Sequence, residues 1–151
     1  MLNEDYRDIL RALSEECASF LLVGAYAMAV HGYPRATMDI DLWILPSPDN
    51  ADAVLRALAR FGAPMGELTR DDLMQEGIVF QIGVAPRRID LLTSVTGLHF
   101  DEAYAHSQVV DIDGIDVHVI AREDLIINKR ATGRTRDLAD AEVLEELTGE
   151  E

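Results

Sequence analysis

Apolar residues along the chain recur with two periods, and the switches between them mark out the elements. Tyr6, Ile9, Leu10 and Leu13 stand three and four apart, so residues 3–17 predict an amphipathic helix. Phe20-Leu-Leu-Val is a continuous apolar run stopped by Gly24, which predicts a buried strand. The small residues at 25–30 then predict a short helix closed by Gly32 and Pro34. From 39 to 45, Asp39, Asp41 and Trp43 alternate with Ile40, Leu42 and Ile44, the period of two of a strand. Pro46-Ser-Pro-Asp breaks it, and 51–61 predicts a further amphipathic helix. A polar connection containing Asp71 and Asp72 leads to two strands, over 78–84 and 89–92, with Pro86-Arg87-Arg88 as the turn between them. A short helix is expected over 100–106. Strands at 109–112 and 115–120 flank Asp113-Gly114, a strong two-residue hairpin signal. Helices over about 122–131 and 136–148, separated by Gly133, close the chain. Interleaved strands and helices with an antiparallel hairpin predict an α/β or α+β fold, a mixed sheet flanked by helices. No linker or repeat interrupts the 151 residues, which fit one domain spanning 1–151.

Charge narrows the function. The 13 basic against 28 acidic residues give a net charge of −15, and Lys129 is the only lysine. Such a surface repels phosphate backbones and argues against non-specific nucleic acid binding, although a local basic pocket can still hold a nucleotide. No apolar run approaches the ~20 residues of a membrane span, and the acidic start does not read as a leader peptide. The single cysteine, Cys17, excludes an internal disulfide and fits a cytoplasmic protein. Its place at the end of the first helix predicts a small core residue.

Candidate chemistry lies in one unit. Asp39 and Asp41 are two apart on a strand, so both carboxylates leave the same face. Repulsion and desolvation of such a pair call for a cation, and Mg²⁺ (or Mn²⁺), with its preference for carboxylate, water and phosphate oxygens, answers that need. A solvated face is the bland alternative. Gly24, between a strand and a helix, lets a phosphate approach the backbone at a helix N-terminus; alone it reads as a packing turn. Arg35 and Thr37, just before the carboxylate strand, are candidates for substrate phosphate contacts, with loop polar groups as the equal alternative. His31 reads better as a helix-end residue bonded to the backbone than as a base, and the four histidines show no zinc spacing. Arg134, Asp137 and Asp140 read as ion pairs fastening the last two helices.

Gly24-Ala25, thirteen intervening residues and Asp39-Ile-Asp41, after an apolar strand, resemble the signature of the nucleotidyltransferase superfamily. Val-Gly-Ala-Tyr-Ala-Met-Ala-Val-His-Gly, Arg-Ala-Thr-Met-Asp-Ile-Asp and Asp-Leu-Ile-Ile-Asn-Lys-Arg-Ala…Arg-Thr-Arg-Asp-Leu-Ala-Asp look closest to AbiEii-like and related small proteins of that superfamily. The resemblance spans residues 20–145. It implies the nucleotidyltransferase fold and the transfer of a nucleoside monophosphate from a nucleoside triphosphate to an acceptor hydroxyl. A third metal-binding and catalytic carboxylate is implied at Asp90, in Arg88-Ile-Asp90-Leu-Leu, and is expected within about 6 Å of the other two. Gly24, Ala25 and Lys129 would contact the nucleotide; from its position alone, Lys129 also reads as a cation favourably placed near a helix C-terminus. The acceptor, whether protein, tRNA or small molecule, stays open. A place in a toxin–antitoxin pair with a cognate antitoxin protein is also implied. Ala25 departs from the serine many active members carry, so the alternative is an inactive fold that binds nucleotide or protein.

Overall fold

The computed structural model describes residues 2–149. Its first helix, α1 (Glu4–Glu15), is capped by Asn3, whose side chain accepts from the Tyr6 N–H. It buries Tyr6, Ile9, Leu10 and Leu13, the residues whose spacing predicted it. Cys17 does not join them. The helix has already ended, Cys17 adopts φ 59°, and its side chain is exposed, correcting the core assignment.

Strand β1 (Phe20–Val23) runs into α2 (Gly24–Val30), β2 spans Asp39–Ile44, and α3 covers Pro48–Phe61. α3 starts three residues earlier than the apolar period suggests, because Ser47 caps it and Pro48 occupies its first turn. The polar stretch after it holds an unexpected one-turn helix, α4 (Arg70–Leu73), nucleated by a reciprocal capping box between Thr69 and Asp72. β3 (Val79–Ile82) and β4 (Arg88–Leu92) follow, then α5 (Phe100–His106), the hairpin β5 (Gln108–Ile112) and β6 (Ile115–Val119), α6 (Arg122–Thr132) and α7 (Thr135–Gly149). Asp113 and Gly114 both take positive φ, as a type I′ turn requires.

Among the described residues the strands form one six-stranded mixed sheet in the order β3-β4-β2-β1-β6-β5. β1–β2, β3–β4 and β5–β6 are antiparallel, whereas β2–β4 and β1–β6 are parallel. The fold is therefore mixed α/β, as the interleaving implied. Ile40, Leu42 and Ile44 are wholly buried on one face of β2. On the other face Trp43 is also buried, edge-on to Phe100 of α5 at 5.2 Å. That face carries Asp39 and Asp41 at its open end. In α6, Ile127 is exposed, whereas Asp124 is buried and bonded to His106 at 3.0 Å. Among the described residues, no helix is long and apolar enough to cross a membrane.

A buried amide ties the entry of β1 to the exit of β2. Asn50, 6 % exposed, donates to the carbonyls of Ser19 and Leu45 and accepts from the Ser19 N–H. Asn50→Ala should lower unfolding stability by about 1–3 kcal/mol, since it removes the partner of the Ser19 N–H and leaves the Ser19 and Leu45 carbonyls with one backbone donor each. A urea midpoint unchanged from wild type would show that these groups find water instead.

Candidate active site

The site follows from strand register. In the parallel pairing of β2 with β4, Asp39 lies opposite Arg88 and Asp41 opposite Asp90. Directly paired residues project from the same face, so four charged side chains share one patch. Asp39, Asp41 and Asp90 each offer a carboxylate oxygen within 4.8 Å of the others. Asp90 is 6 % exposed and Asp39 and Asp41 are half-buried.

Arg88 belongs to this patch, not to a turn. As a strand residue two before Asp90, it turns to the same face. Its Nε donates to Asp90 Oδ1 at 3.0 Å, and its Nη2 donates to Asp90 Oδ2 at 3.2 Å and Asp39 Oδ2 at 2.5 Å. The residue escaped sequence reasoning because the Pro86-Arg-Arg run reads as a turn; its i,i+2 spacing from Asp90 was the available signal. Thr37 holds Asp39 from the other side, its hydroxyl lying 3.0 Å from the Asp39 carbonyl and 3.1 Å from Oδ1.

Among the described residues, no cation forms an ion pair with Asp41, whereas Arg88 pairs with both Asp39 and Asp90. Burial pushes its carboxyl up to about 7, with the charges of Asp39 and Asp90 and a hydrogen bond to Asp90 adding to the rise, and Arg88 opposing it. Gly24 is fitted to this carboxylate. It adopts φ 71°, and a Cβ there would fall 2.2 Å from Asp41 Oδ2. The glycine is thus demanded by a side chain of its own protein as well as by backbone conformation. Behind the site, the Tyr6 hydroxyl lies 3.1 Å from the Pro86 carbonyl and 3.0 Å from that of Arg88, pinning the start of β4 to α1. Burial and the neighbouring Tyr26 and Asp39 raise the Tyr6 hydroxyl to about 12, so it remains a donor.

A cleft of about 830 Å³ opens over Asp39 and Asp41 and is also lined by Gly24, Ala25, Arg35 and Thr37. Its far wall comes from α6, α7 and the turn between them, with Lys129, Arg134, Arg136, Asp137 and Asp140. Four of the chain's 13 basic residues therefore meet in one cleft of a strongly acidic protein. Three of them are ion-paired. Arg35 pairs with Asp140 at 2.6 Å, and Lys129 lies 3.4 Å from Asp137 and 3.2 Å from Asp140. Arg134 pairs with Asp137 at 2.7 Å. Burial alone would raise Asp137, but hydrogen bonds from Thr132 and Arg134 and the Lys129 charge hold it below the usual carboxylate range. These pairs join α6 to α7 as expected from the sequence, and add Arg35 to the same network. His31 is bonded to the Ile120 carbonyl at 2.7 Å, the backbone contact its position suggested.

Across residues 2–151 the chain matches the family described as nucleotidyl transferase of unknown function (DUF2204). No curated protein matches it in sequence. Among solved structures it is similar to a candidate nucleotidyltransferase, TM1012 of Thermotoga maritima, with a TM-score of 0.61 at 15% identity, covering 100% of this chain and 97% of that one. It is also similar to the antibiotic-resistance factor ANT(2″)-Ia. The solution structure gives a TM-score of 0.58 at 16% identity over 93% of this chain and 80% of that one. The crystal structure with adenylyl-2″-tobramycin gives 0.57 at 18% identity over 94% and 91%. These likenesses establish a shared fold.

Two outcomes follow from the geometry. Gly24→Ala should destabilise the protein by about 1–3 kcal/mol, because a left-handed non-glycine residue and a displaced carboxylate are strained together; unchanged thermal stability would contradict this contact. Asp41 sets a pH dependence. A carboxylate whose pKa rises on folding, here from 3.8 to about 7, costs nothing below the lower value and its full penalty above the higher. Metal-free Asp41→Asn should therefore be more stable than wild type by on the order of 2–4 kcal/mol at pH 8, the gain fading as pH falls toward 4. Thermal melts across that range would show whether the gain exists and fades in that direction.

Proposed function

Since the chain belongs to this nucleotidyl transferase family, we propose that it moves a nucleoside monophosphate from a nucleoside triphosphate to an acceptor hydroxyl, using Asp39, Asp41 and Asp90. The observation that carries this reading is the meeting of three carboxylates within 4.8 Å beside a cleft whose opposite wall carries Lys129, Arg134 and Arg136 together with Asp137 and Asp140. Fully ionised, these three groups bear more negative charge than Arg88 neutralises, and burial first, then the charges of Asp39 and Asp90, raise Asp41. A hard divalent cation, Mg²⁺ or Mn²⁺, fits such an all-oxygen set. When bound to Asp39, Asp41 and Asp90, the ion supplies positive charge to the phosphates and to the attacking and departing oxygens.

The chain's own residues do the remaining work. Arg35 and Lys129, held from behind by Asp140 and Asp137, face the cleft where the triphosphate's charge accumulates. Gly24 and Ala25 line the same cleft and leave room beside the carboxylates. Thr37 fixes Asp39, so its orientation precedes substrate binding. Asp90 takes the proton of the acceptor hydroxyl as that oxygen bonds the α-phosphorus. The bond to the β-phosphate oxygen breaks, and pyrophosphate leaves. Positioning and charge carry the reaction, with no covalent intermediate on the protein.

With a net charge of −15, a neutral or cationic acceptor is favoured over a polyanion such as tRNA. The tobramycin adduct of the structurally similar ANT(2″)-Ia is an instance of a small hydroxylated acceptor. Residues 1–151 act as one domain in a cytoplasmic protein. Membership of a toxin–antitoxin pair, suggested by the likeness to AbiEii-like proteins, extends the same reading and is tested by co-purification with a co-expressed neighbour.

Mg²⁺ with a nucleoside triphosphate should raise the melting temperature, and Asp39→Asn combined with Asp41→Asn should abolish that rise. Transfer of label from an α-³²P-labelled triphosphate into a lysate acceptor should fall at least 100-fold in Asp90→Ala while nucleotide still binds. Undiminished transfer would remove Asp90 from the chemistry, and binding without transfer by the wild type would favour the binding-module alternative.

A further inference from the structure

Among the described residues, Arg88 is the one cation paired with the carboxylate cluster. Its position is fixed twice by the backbone. It lies directly opposite Asp39 across the parallel β2–β4 pair, and it precedes Asp90 by two residues on the same strand. The guanidinium consequently bridges both carboxylates through three contacts of 2.5–3.2 Å. Each contact engages a carboxylate oxygen in the set that would ligate a metal ion. A guanidinium and a divalent ion cannot both hold those lone pairs at full strength, because the second cation meets a like charge and fewer free oxygens.

Two further features decide which partner can yield. The Asp90 side chain is 9 % exposed and that of Asp39 24 %, both short side chains fixed close to their strands; the longer Arg88 side chain, 36 % exposed, is the most solvent-accessible of the three. Tyr6 grips the Arg88 carbonyl, not its side chain, so the backbone stays in place when the guanidinium moves. A purely structural ion pair would need one carboxylate. Arg88 takes two, drawn from two strands, and these are the two that flank Asp41.

Resting on the reading of this site as a metal centre, we propose that Arg88 is the resident counter-cation of the cluster. It exchanges with the divalent ion and thereby sets how tightly the site takes metal. In the metal-free protein Arg88 holds Asp39 and Asp90 together against their repulsion. With metal bound, its guanidinium leaves both carboxylates and becomes available to an anionic group of a substrate. Arg88 is in this sense a positioning residue, and its effect is read in metal affinity before any turnover.

The test is calorimetric titration of Mn²⁺ into the 151-residue chain and its Arg88→Gln variant at pH 8. Removing the competing charge should tighten Mn²⁺ binding about tenfold or more, the scale of a lost charge-assisted contact. Wild-type protein provides a readout independent of the variant's folding. Its Arg88 Nε–Hε resonance, protected by Asp90, should shift and lose protection as Mg²⁺ saturates the site. Equal or weaker Mn²⁺ binding by Arg88→Gln, or a resonance unmoved at saturating Mg²⁺, would overturn the exchange while leaving the metal centre standing. Absence of Mn²⁺ binding in both proteins would overturn the metal centre itself, and the exchange with it.

Discussion

Repulsion among three carboxylates is the constraint on which the rest of the site depends. Asp39, Asp41 and Asp90 are brought together by the pairing of two parallel strands, and strand pairing is indifferent to the charge it concentrates. A slip of one residue would send Asp90 to the opposite face, so the fully buried Ile89 and Leu91 that fix the register of β4 also fix the chemistry. Around the cluster, the neighbouring groups either accommodate the charge or hold it still. Gly24 gives up a side chain to Asp41, Thr37 restrains Asp39, and Arg88 spans the two outer carboxylates. Buried like charges of this kind weaken a fold unless something is gained elsewhere, which is why such clusters point to function.

The opposite wall of the cleft solves a related problem with the signs reversed. Lys129, Arg35 and Arg134 would repel one another and would also be drawn toward the acidic strand across the cleft. Asp140, buried on α7, bridges Arg35 and Lys129, and Asp137, also buried, bridges Lys129 and Arg134. Buried ion pairs add little net stability because desolvation offsets attraction. Their consequence here is geometric. They bind α6, α7 and the segment before β2 into one wall, and they present guanidinium and ammonium groups whose rotamers are already restricted. A ligand with negative phosphates on one side and a metal-binding edge on the other is complementary to both walls.

Much of this was legible in the order of residues. Period-two alternation placed Asp39 and Asp41 on one face of a strand, the Phe20–Val23 run and Gly24 placed a turn beside them, and Asp113-Gly114 gave its hairpin. These are local properties: hydrophobic period, backbone permissiveness and turn geometry act within a few residues, and the chain states them directly. The family signature added Asp90 as a third carboxylate.

Other features had no local statement. Arg88 read as a turn residue because prolines and arginines also make turns; only pairing with β2 makes it the neighbour of Asp39, 49 positions away. Lys129 stood out by composition, yet its partners lie on the next helix and Arg35 joins them across 105 positions. Cys17 looked like core because the helical period was extended past Glu15, where the backbone leaves the helix. The amino-acid order determined which faces are apolar and which strand carries acid. Tertiary structure decided which charges meet, because an ion pair depends on distance in space and the sequence records distance only along the chain.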